Sequence, residues 1–328
     1  MRLVEGRATP HIGGMHPRLI SAPFALALSL AGCSSSTHSV DAPALPARLA
    51  LDGAAFYPES LTATGDGRLL VGSFGAGEVA AFAPGATTPA TFIAASPAVA
   101  RVLGVLADEH AHVLWLCADD TATQSPAPPQ LRRYDLATGA FQAAYDFPAP
   151  AFCNDLALDG HHDLYVTDSL GALYRLADGA DHLELWSHDP LLAASVAGGF
   201  GANGVAVDGA TVYVTSFNDN RLLRIAIQAD GSAAPATELA VTPALVGPDA
   251  VRVQGAGTLL VVEQTAGRLT RVTVGDGHAT TLAAGLDQPT SVAVRDGTAW
   301  VTQGQLGHIL GTVAGPPALP FVVTPVTL

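Results

Sequence analysis

Along residues 151–169, AFCNDLALDGHHDLYVTDS, apolar and polar positions alternate through two short runs separated by a Gly-containing turn. That is the pattern of two strands joined tightly. The unit recurs along the chain, and its second strand reads LLVGS from Leu69, LWLCA from Leu114, LYVTD from Leu164, VYVTS from Val212, LLVVE from Leu259 and AWVTQ from Ala299. These runs are rich in β-branched or aromatic residues, and turns such as GDG, DGHH, DGA and RDG precede them. Their starts lie 40 to 50 residues apart, and further strand-like runs follow, for example EVAAFAP, LRRYDL and RLLRIAI. A period of this length with three to four strands per unit predicts an all-β fold, a six-bladed β-propeller. No segment carries the pattern of a long amphipathic helix, which removes an α/β barrel of similar length. The strand-like ARLALDG and the C-terminal PFVVTPVTL have no partner in the repeat. One is expected to complete the blade of the other, closing the ring and removing an open sheet edge.

Composition narrows the chemistry. Hydrophobic residues make up 49% and charged residues 13% of 328 positions, ample for a large core. Every strongly basic residue is Arg, so Schiff-base chemistry and a phosphate-loop Lys are excluded. A net charge of -14 argues against nucleic acid or anionic lipid as a partner.

The N-terminal segment MHPRLISAPFALALSLAGCSSS has a short basic region at Arg18, an apolar stretch from Leu19 to Leu30, and then Leu30-Ala31-Gly32-Cys33. It resembles a bacterial lipoprotein signal over residues 1–32, with Met15 a second candidate initiator and Cys33 the lipidated N-terminus of the mature chain. Residues 33–46 read as a Ser-containing tether and 47–328 as the propeller. Loss of Arg2, Glu5, Arg7 and Arg18 would take the side-chain charge to -16. The expected location is the bacterial cell envelope, periplasmic or outer-membrane facing, with membrane contact only through the anchor. Cys117 and Cys153 then lie in a compartment that permits a disulfide; a bridge and two buried thiols both remain open, and their spacing fits no zinc motif.

Aligning the starts of the innermost strands on the repeat places Glu59, Leu103, Asn154, Asn203, Asp249 and Thr290 at one equivalent position. In a propeller these positions face one central channel. Two carboxylates and two amides at one height make an all-oxygen set suited to a hard cation, Ca2+ or another divalent ion, while the absence of Cys and His argues against zinc or copper. Singly, Asn and Asp at strand ends are ordinary turn-formers. Their recurrence at one repeat position points to a central metal site.

The motifs YPES with Glu59, CND with Asn154, ANG with Asn203 and PDA with Asp249 resemble those of the SMP-30/gluconolactonase family, calcium-dependent lactonases built as six-bladed propellers, whose layout paraoxonases share. The resemblance spans the chain from about residue 46. It implies that Glu59, Asn154, Asn203 and Asp249 hold the metal, and that Asp249 is also the catalytic acid/base. The chain departs from the pattern at Phe152, where sugar-lactone members carry Arg, and this points to a more apolar ligand. His161 and His162 fall in a turn at the opposite strand end and are expected to be solvated, not catalytic. Residues 114–169 also resemble the yellow/major royal jelly proteins, propellers better known for binding.

Because the second strand runs antiparallel to the first, Ser73, Asp168, Ser216, Glu263 and Gln303 are expected to rim the same mouth. Phe152, Asp168, Ser216, Glu263 and Gln303 are therefore substrate-contact candidates, and residues 119–130 form a candidate lid. Two readings follow: a lipid-anchored, calcium-dependent hydrolase of a lactone or related ester, or a non-catalytic propeller that binds a small ligand or a protein.

Overall fold

A computed structural model describes residues 48–119, 129–148 and 150–328. Every described residue belongs to one compact unit. The expected signal, Cys33, the tether up to residue 46 and most of the candidate lid, residues 120–128, lie outside the described residues.

Six four-stranded antiparallel sheets succeed one another along the chain. The innermost strands are Pro58–Ala63, Arg101–Asp108, Cys153–Leu158, Ala202–Asp208, Pro248–Gly255 and Pro289–Arg295, in blades one to six. The second strands are Leu69–Ser73, Val113–Asp119, Leu164–Asp168, Thr211–Ser216, Thr258–Glu263 and Thr298–Gln303, within one residue of the runs read from the sequence. Third come Val79–Phe82, Gln130–Asp135, Ala172–Leu176, Arg221–Ala226, Arg268–Thr273 and Phe321–Thr327. Ala90–Ile93, Phe141–Asp146, Glu184–Ser187, Thr237–Glu238, Ala279–Ala284 and Leu49–Leu51 are outermost.

The second strands are apolar on both faces because each packs between two neighbouring blades, and all five residues of Leu69–Ser73 and of Leu164–Asp168 are buried. Outer strands such as Ala90–Ile93 carry the exposed positions. Leu49–Leu51 pairs with Phe321–Thr327 in register Leu49↔Val323 and Leu51↔Phe321, so the two orphan segments of the sequence close the ring together in blade six. Both leucines are buried, which fixes the register, since a one-residue slip would turn them outward.

Cys117 and Cys153 form a disulfide with Cα atoms 5.3 Å apart, joining the second strand of blade two to the innermost strand of blade three. It closes a loop with a sequence separation of 36 residues. By chain entropy such a loop contributes about 4 kcal/mol of stability through the unfolded state.

Candidate functional site

The start of each innermost strand is built the same way. Pro58 pairs with Ser73 and Leu61 with Val71, leaving Glu59 and Ser60 opposite Gly72 alone. The same two-against-one bulge holds Leu103-Gly104 opposite Cys117, Asn154-Asp155 opposite Thr167, Asn203-Gly204 opposite Thr215, Asp249-Ala250 opposite Val262 and Thr290-Ser291 opposite Thr302. A bulge kinks its strand and re-aims a side chain. Here it is repeated six times, once at each position of the polar ring. In three blades a threonine hydroxyl receives the amide freed by the bulge: Asp155 N donates to Thr167 Oγ1 at 2.9 Å, Gly204 N to Thr215 Oγ1 at 2.7 Å and Ser291 N to Thr302 Oγ1 at 2.9 Å. The hydroxyls of Thr167 and Thr215 donate onward to the carbonyls of Asn203 and Asp249 in the next blade. In blade two Cys117 stands in the threonine's place, and its disulfide supplies the link to blade three. The glycine of the ANG motif has a packing cause: a Cβ on Gly204 would meet the Asp249 carbonyl oxygen at 2.5 Å.

Glu59, Asn154, Asn203 and Asp249 are all buried, and all four line both an open cavity of about 320 Å³ and, bordering it, a void of about 10 Å³. The void has room for one water-sized sphere. Asn154 Nδ2 donates to Ser169 Oγ at 2.9 Å, which leaves its Oδ1 as the free end of the amide. Gln264 Nε2 donates to Asp249 Oδ2 at 2.9 Å. Among the described residues none donates a hydrogen bond to the Glu59 carboxylate.

Asp155 also lines the void, with Ser60, Thr290 and Ser291, and its carboxylate is the third acid of the cluster. The Arg252 guanidinium grips it in a fork, Nη1 to Oδ2 at 2.6 Å and Nη2 to Oδ1 at 2.9 Å, and Val205 N also donates to Oδ2 at 3.0 Å. Three carboxylates and one guanidinium leave this cluster at a formal charge of -2 when all are ionised. Burial, then the neighbouring Asp249 and Asp155 charges, push the Glu59 carboxyl well above its ordinary 4.5, with Arg252 opposing. Burial, then Asp155, push Asp249 well above 3.8, opposed by the Gln264 hydrogen bond, Arg252 and Asn203.

Raised folded-state values have a sign for stability. Between the ordinary values and the raised ones the folded chain holds protons that the unfolded chain has released, so stability falls as pH rises. In chelator the melting temperature is expected to fall as pH rises above the ordinary carboxylate range, about 4.5, because the folded chain there keeps protons that the unfolded chain has released. Thermal melts of the wild type and of Glu59→Gln check this: the slope should be shallower in the variant, and an equal slope would remove the two carboxylates as its source.

The wall of the larger cavity is apolar. Phe74, Phe152, Phe200, Phe217, Leu103, Leu306 and Leu310 line it, with Arg101 the only basic group among the described lining residues and Gln264 beside Asp249. Leu306 belongs to the short helix Leu306–Ile309, which follows the second strand of blade six, and Leu310 caps it. Of the substrate-contact candidates, only Phe152 lies in this wall. Asp168, Ser216, Glu263 and Gln303 are buried inside the blades. Asp168 Oδ1 accepts from Phe152 N at 2.7 Å and Leu170 N at 2.9 Å, while Glu263 pairs with Arg268 at 2.6 Å and accepts from Val246 N at 2.7 Å. Gln303 accepts from Asp287 N at 2.6 Å and donates to Thr324 at 2.7 Å.

None of those four lines the cavity: Asp168, Glu263 and Gln303 hold the backbone of the mouth loops, and the Ser216 hydroxyl is buried with no hydrogen-bond partner among the described residues. Strand neighbours point opposite ways. The residues that follow, Phe74 after Ser73, Phe217 after Ser216 and Gln264 after Glu263, line the cavity, and Ser169 after Asp168 orients Asn154. His161 and His162 sit in the turn at the far strand end, with His162 stacked on His110 at 4.0 Å between ring centroids.

Among the described residues no group of three or more His, Cys, Asp or Glu side chains is placed to hold a metal. The ring differs from such a group in its amides: only Glu59 and Asp249 are acids, and the other two members are Asn154 and Asn203. The donors are all oxygen, which suits a hard cation and no thiophilic one.

No protein-family model matches the chain, and no curated protein matches it. Among solved structures it is similar to a gluconolactonase from Xanthomonas campestris, with TM-score 0.62 and 16% identity over 88% of this chain and 93% of that one. It is also similar to a calcium-binding protein, regucalcin, from Agrobacterium tumefaciens, with TM-score 0.61 and 16% identity over 86% of this chain and 95% of that one. A third is a catalytically inactive virginiamycin B lyase from Staphylococcus aureus with quinupristin, with TM-score 0.56 and 13% identity over 86% of this chain and 98% of that one. At such identities the likeness is one of fold, and the fold is the all-β six-bladed propeller.

Proposed function

We propose that the protein is a calcium-dependent hydrolase of a lactone or related ester, with Glu59, Asn154, Asn203 and Asp249 as the metal ligands. The observation that carries this reading is the buried cluster of three carboxylates and one guanidinium, formally -2 when ionised, at the floor of an apolar-walled cavity, with no hydrogen-bond donor to Glu59 among the described residues. A divalent cation would neutralise that charge, and the oxygen donors and the single-sphere void fit one. Likeness to gluconolactonase and regucalcin favours the same reading. When bound, the cation supplies polarisation of the substrate carbonyl.

The chain's own residues supply the rest. Asp249 takes a proton from a water molecule whose oxygen adds to the carbonyl carbon. The ring C–O bond then breaks, the proton passes to the departing alkoxide, and a hydroxy acid is released. Gln264 holds Asp249 Oδ2 and so fixes the carboxylate's orientation. The phenylalanine wall keeps bulk water away from the reacting carbonyl.

Attachment to the bacterial cell envelope by lipid at Cys33 belongs to the same proposal. The Cys117–Cys153 bridge supports it, since disulfides persist in oxidising compartments. The partner is a small molecule, neither nucleic acid nor membrane surface.

One observation favours the second reading, a non-catalytic propeller that binds its ligand at the mouth: among the described residues that line the cavity there is no His, Lys or Tyr, so Asp249 would serve as both base and acid. Turnover of a panel of aliphatic and sugar lactones, in calcium and in chelator, decides between them. The hydrolase is expected to lose at least about 100-fold in chelator. Absence of turnover on every lactone in both conditions would favour the binding reading.

A further inference from the structure

We infer that the site selects lactones or esters carrying an apolar alkyl or aryl group, seated among Phe152, Phe200, Phe217 and Leu310 with the carbonyl toward Asp249. The chemistry rests on the hydrolase reading; the selectivity rests on the wall alone. The cavity holds about 320 Å³, within the range of small-molecule sites. Its aromatic residues come from three blades: Phe74 from blade one, Phe152 from blade three, Phe200 and Phe217 from the two ends of one hairpin in blade four. Phe152 and Phe200 meet as a tilted pair with centroids 5.3 Å apart, so the two mouth loops present one continuous apolar surface. Leu310 extends it outward and is 47% exposed.

Among the described residues that line the cavity, the polar groups are those of the floor, with Gln264 beside Asp249, and Arg101. Arg101 stands two residues before Leu103, the blade-two equivalent of Phe152 before Asn154, and its Cζ lies 4.2 Å from the centroid of Phe74. The guanidinium is thereby turned onto an aromatic face. A polyol lactone would bury several hydroxyls against phenylalanine rings without partners, each at a cost. An alkyl substituent meets the same rings favourably, and each methylene transferred from water to the wall is expected to improve binding about two- to fourfold until the cavity is filled.

The test uses the full chain in calcium and a series of γ-lactones bearing no substituent, butyl and hexyl, with D-glucono-δ-lactone beside them. Hydrolysis is read by proton release. Calorimetric binding of the matching alkyl-substituted cyclic ketones, which have no ester bond to cleave, is read separately. The proposal expects kcat/KM to rise about two- to fourfold per methylene, ketone Kd to fall in parallel, and gluconolactone to be at least about 100-fold poorer than the hexyl lactone. Phe200→Ala and Phe217→Ala, both at partly exposed positions, should flatten the chain-length dependence without lowering the melting temperature appreciably.

Ketone affinity independent of chain length, or gluconolactone turned over as well as the hexyl lactone, would overturn it. If no lactone is hydrolysed but ketone affinity still rises with chain length, apolar selection stands and the hydrolase reading alone fails.

Discussion

Asp249→Asn is expected to lower kcat/KM for the best lactone by about 10²- to 10⁴-fold, the range of a lost general base. Two losses coincide. The amide cannot accept the proton of the attacking water, and it removes one of the two carboxylates that make the channel floor anionic. Stability in chelator should not suffer, because burial and the Asp155 charge already penalise ionised Asp249 and the amide keeps the shape and the contact with Gln264. A variant that is folded, as judged by melting in chelator, yet inactive would place the defect in chemistry. Retention of a tenth of the activity would show that Asp249 is not the acid/base.

Arg252→Met is expected to destabilise the protein by about 3–5 kcal/mol, the cost of leaving a buried carboxylate without its partner. Arg252 reaches Asp155 through two hydrogen bonds and also donates to the Val251 carbonyl at 2.8 Å, and the Asp155 side chain is only 7% exposed. Removal of the guanidinium would take the channel cluster from a formal -2 to -3. Denaturant unfolding of Arg252→Met, Asp155→Asn and the double variant measures the coupling. The double variant should recover much of the loss, since a neutral amide does not require a counter-charge. If Arg252→Met unfolds like the wild type, the ion pair contributes nothing to the fold.

The repeat was legible because the second strands are buried on both faces and therefore read as short apolar runs at a steady interval. The ring was legible for a different reason: Glu59, Asn154, Asn203 and Asp249 interrupt that pattern at one repeat position, and the interruption is the bulge itself. The consecutive polar pair Asn154-Asp155 is its plainest trace, two residues set against one, with Asn154 in the ring and Asp155 gripped by Arg252.

Three things were not legible. Asp168, Ser216, Glu263 and Gln303 stand at the mouth ends of their strands, but which of two successive residues there faces the cavity depends on side-chain alternation past the strand end, which a run buried on both faces does not reveal. The pairing of Cys117 with Cys153 requires that adjacent blades bring the two Cα atoms to 5.3 Å, and no spacing rule for separate blades supplies that. Arg252 reaches Asp155 across 97 positions of sequence, a contact between nonadjacent blades that only the closed ring creates. The phenylalanines carried a usable signal: Ser73-Phe74 and Ser216-Phe217 repeat the same dipeptide at the same strand end.

Calorimetric titration of chelator-treated protein with calcium is the direct test of the metal site. Saturable binding of one ion per chain is expected, weakened at least about 100-fold in Glu59→Gln, with the melting temperature of the wild type rising as the site fills. Absence of saturable calcium binding, or binding left unchanged by Glu59→Gln, would contradict it.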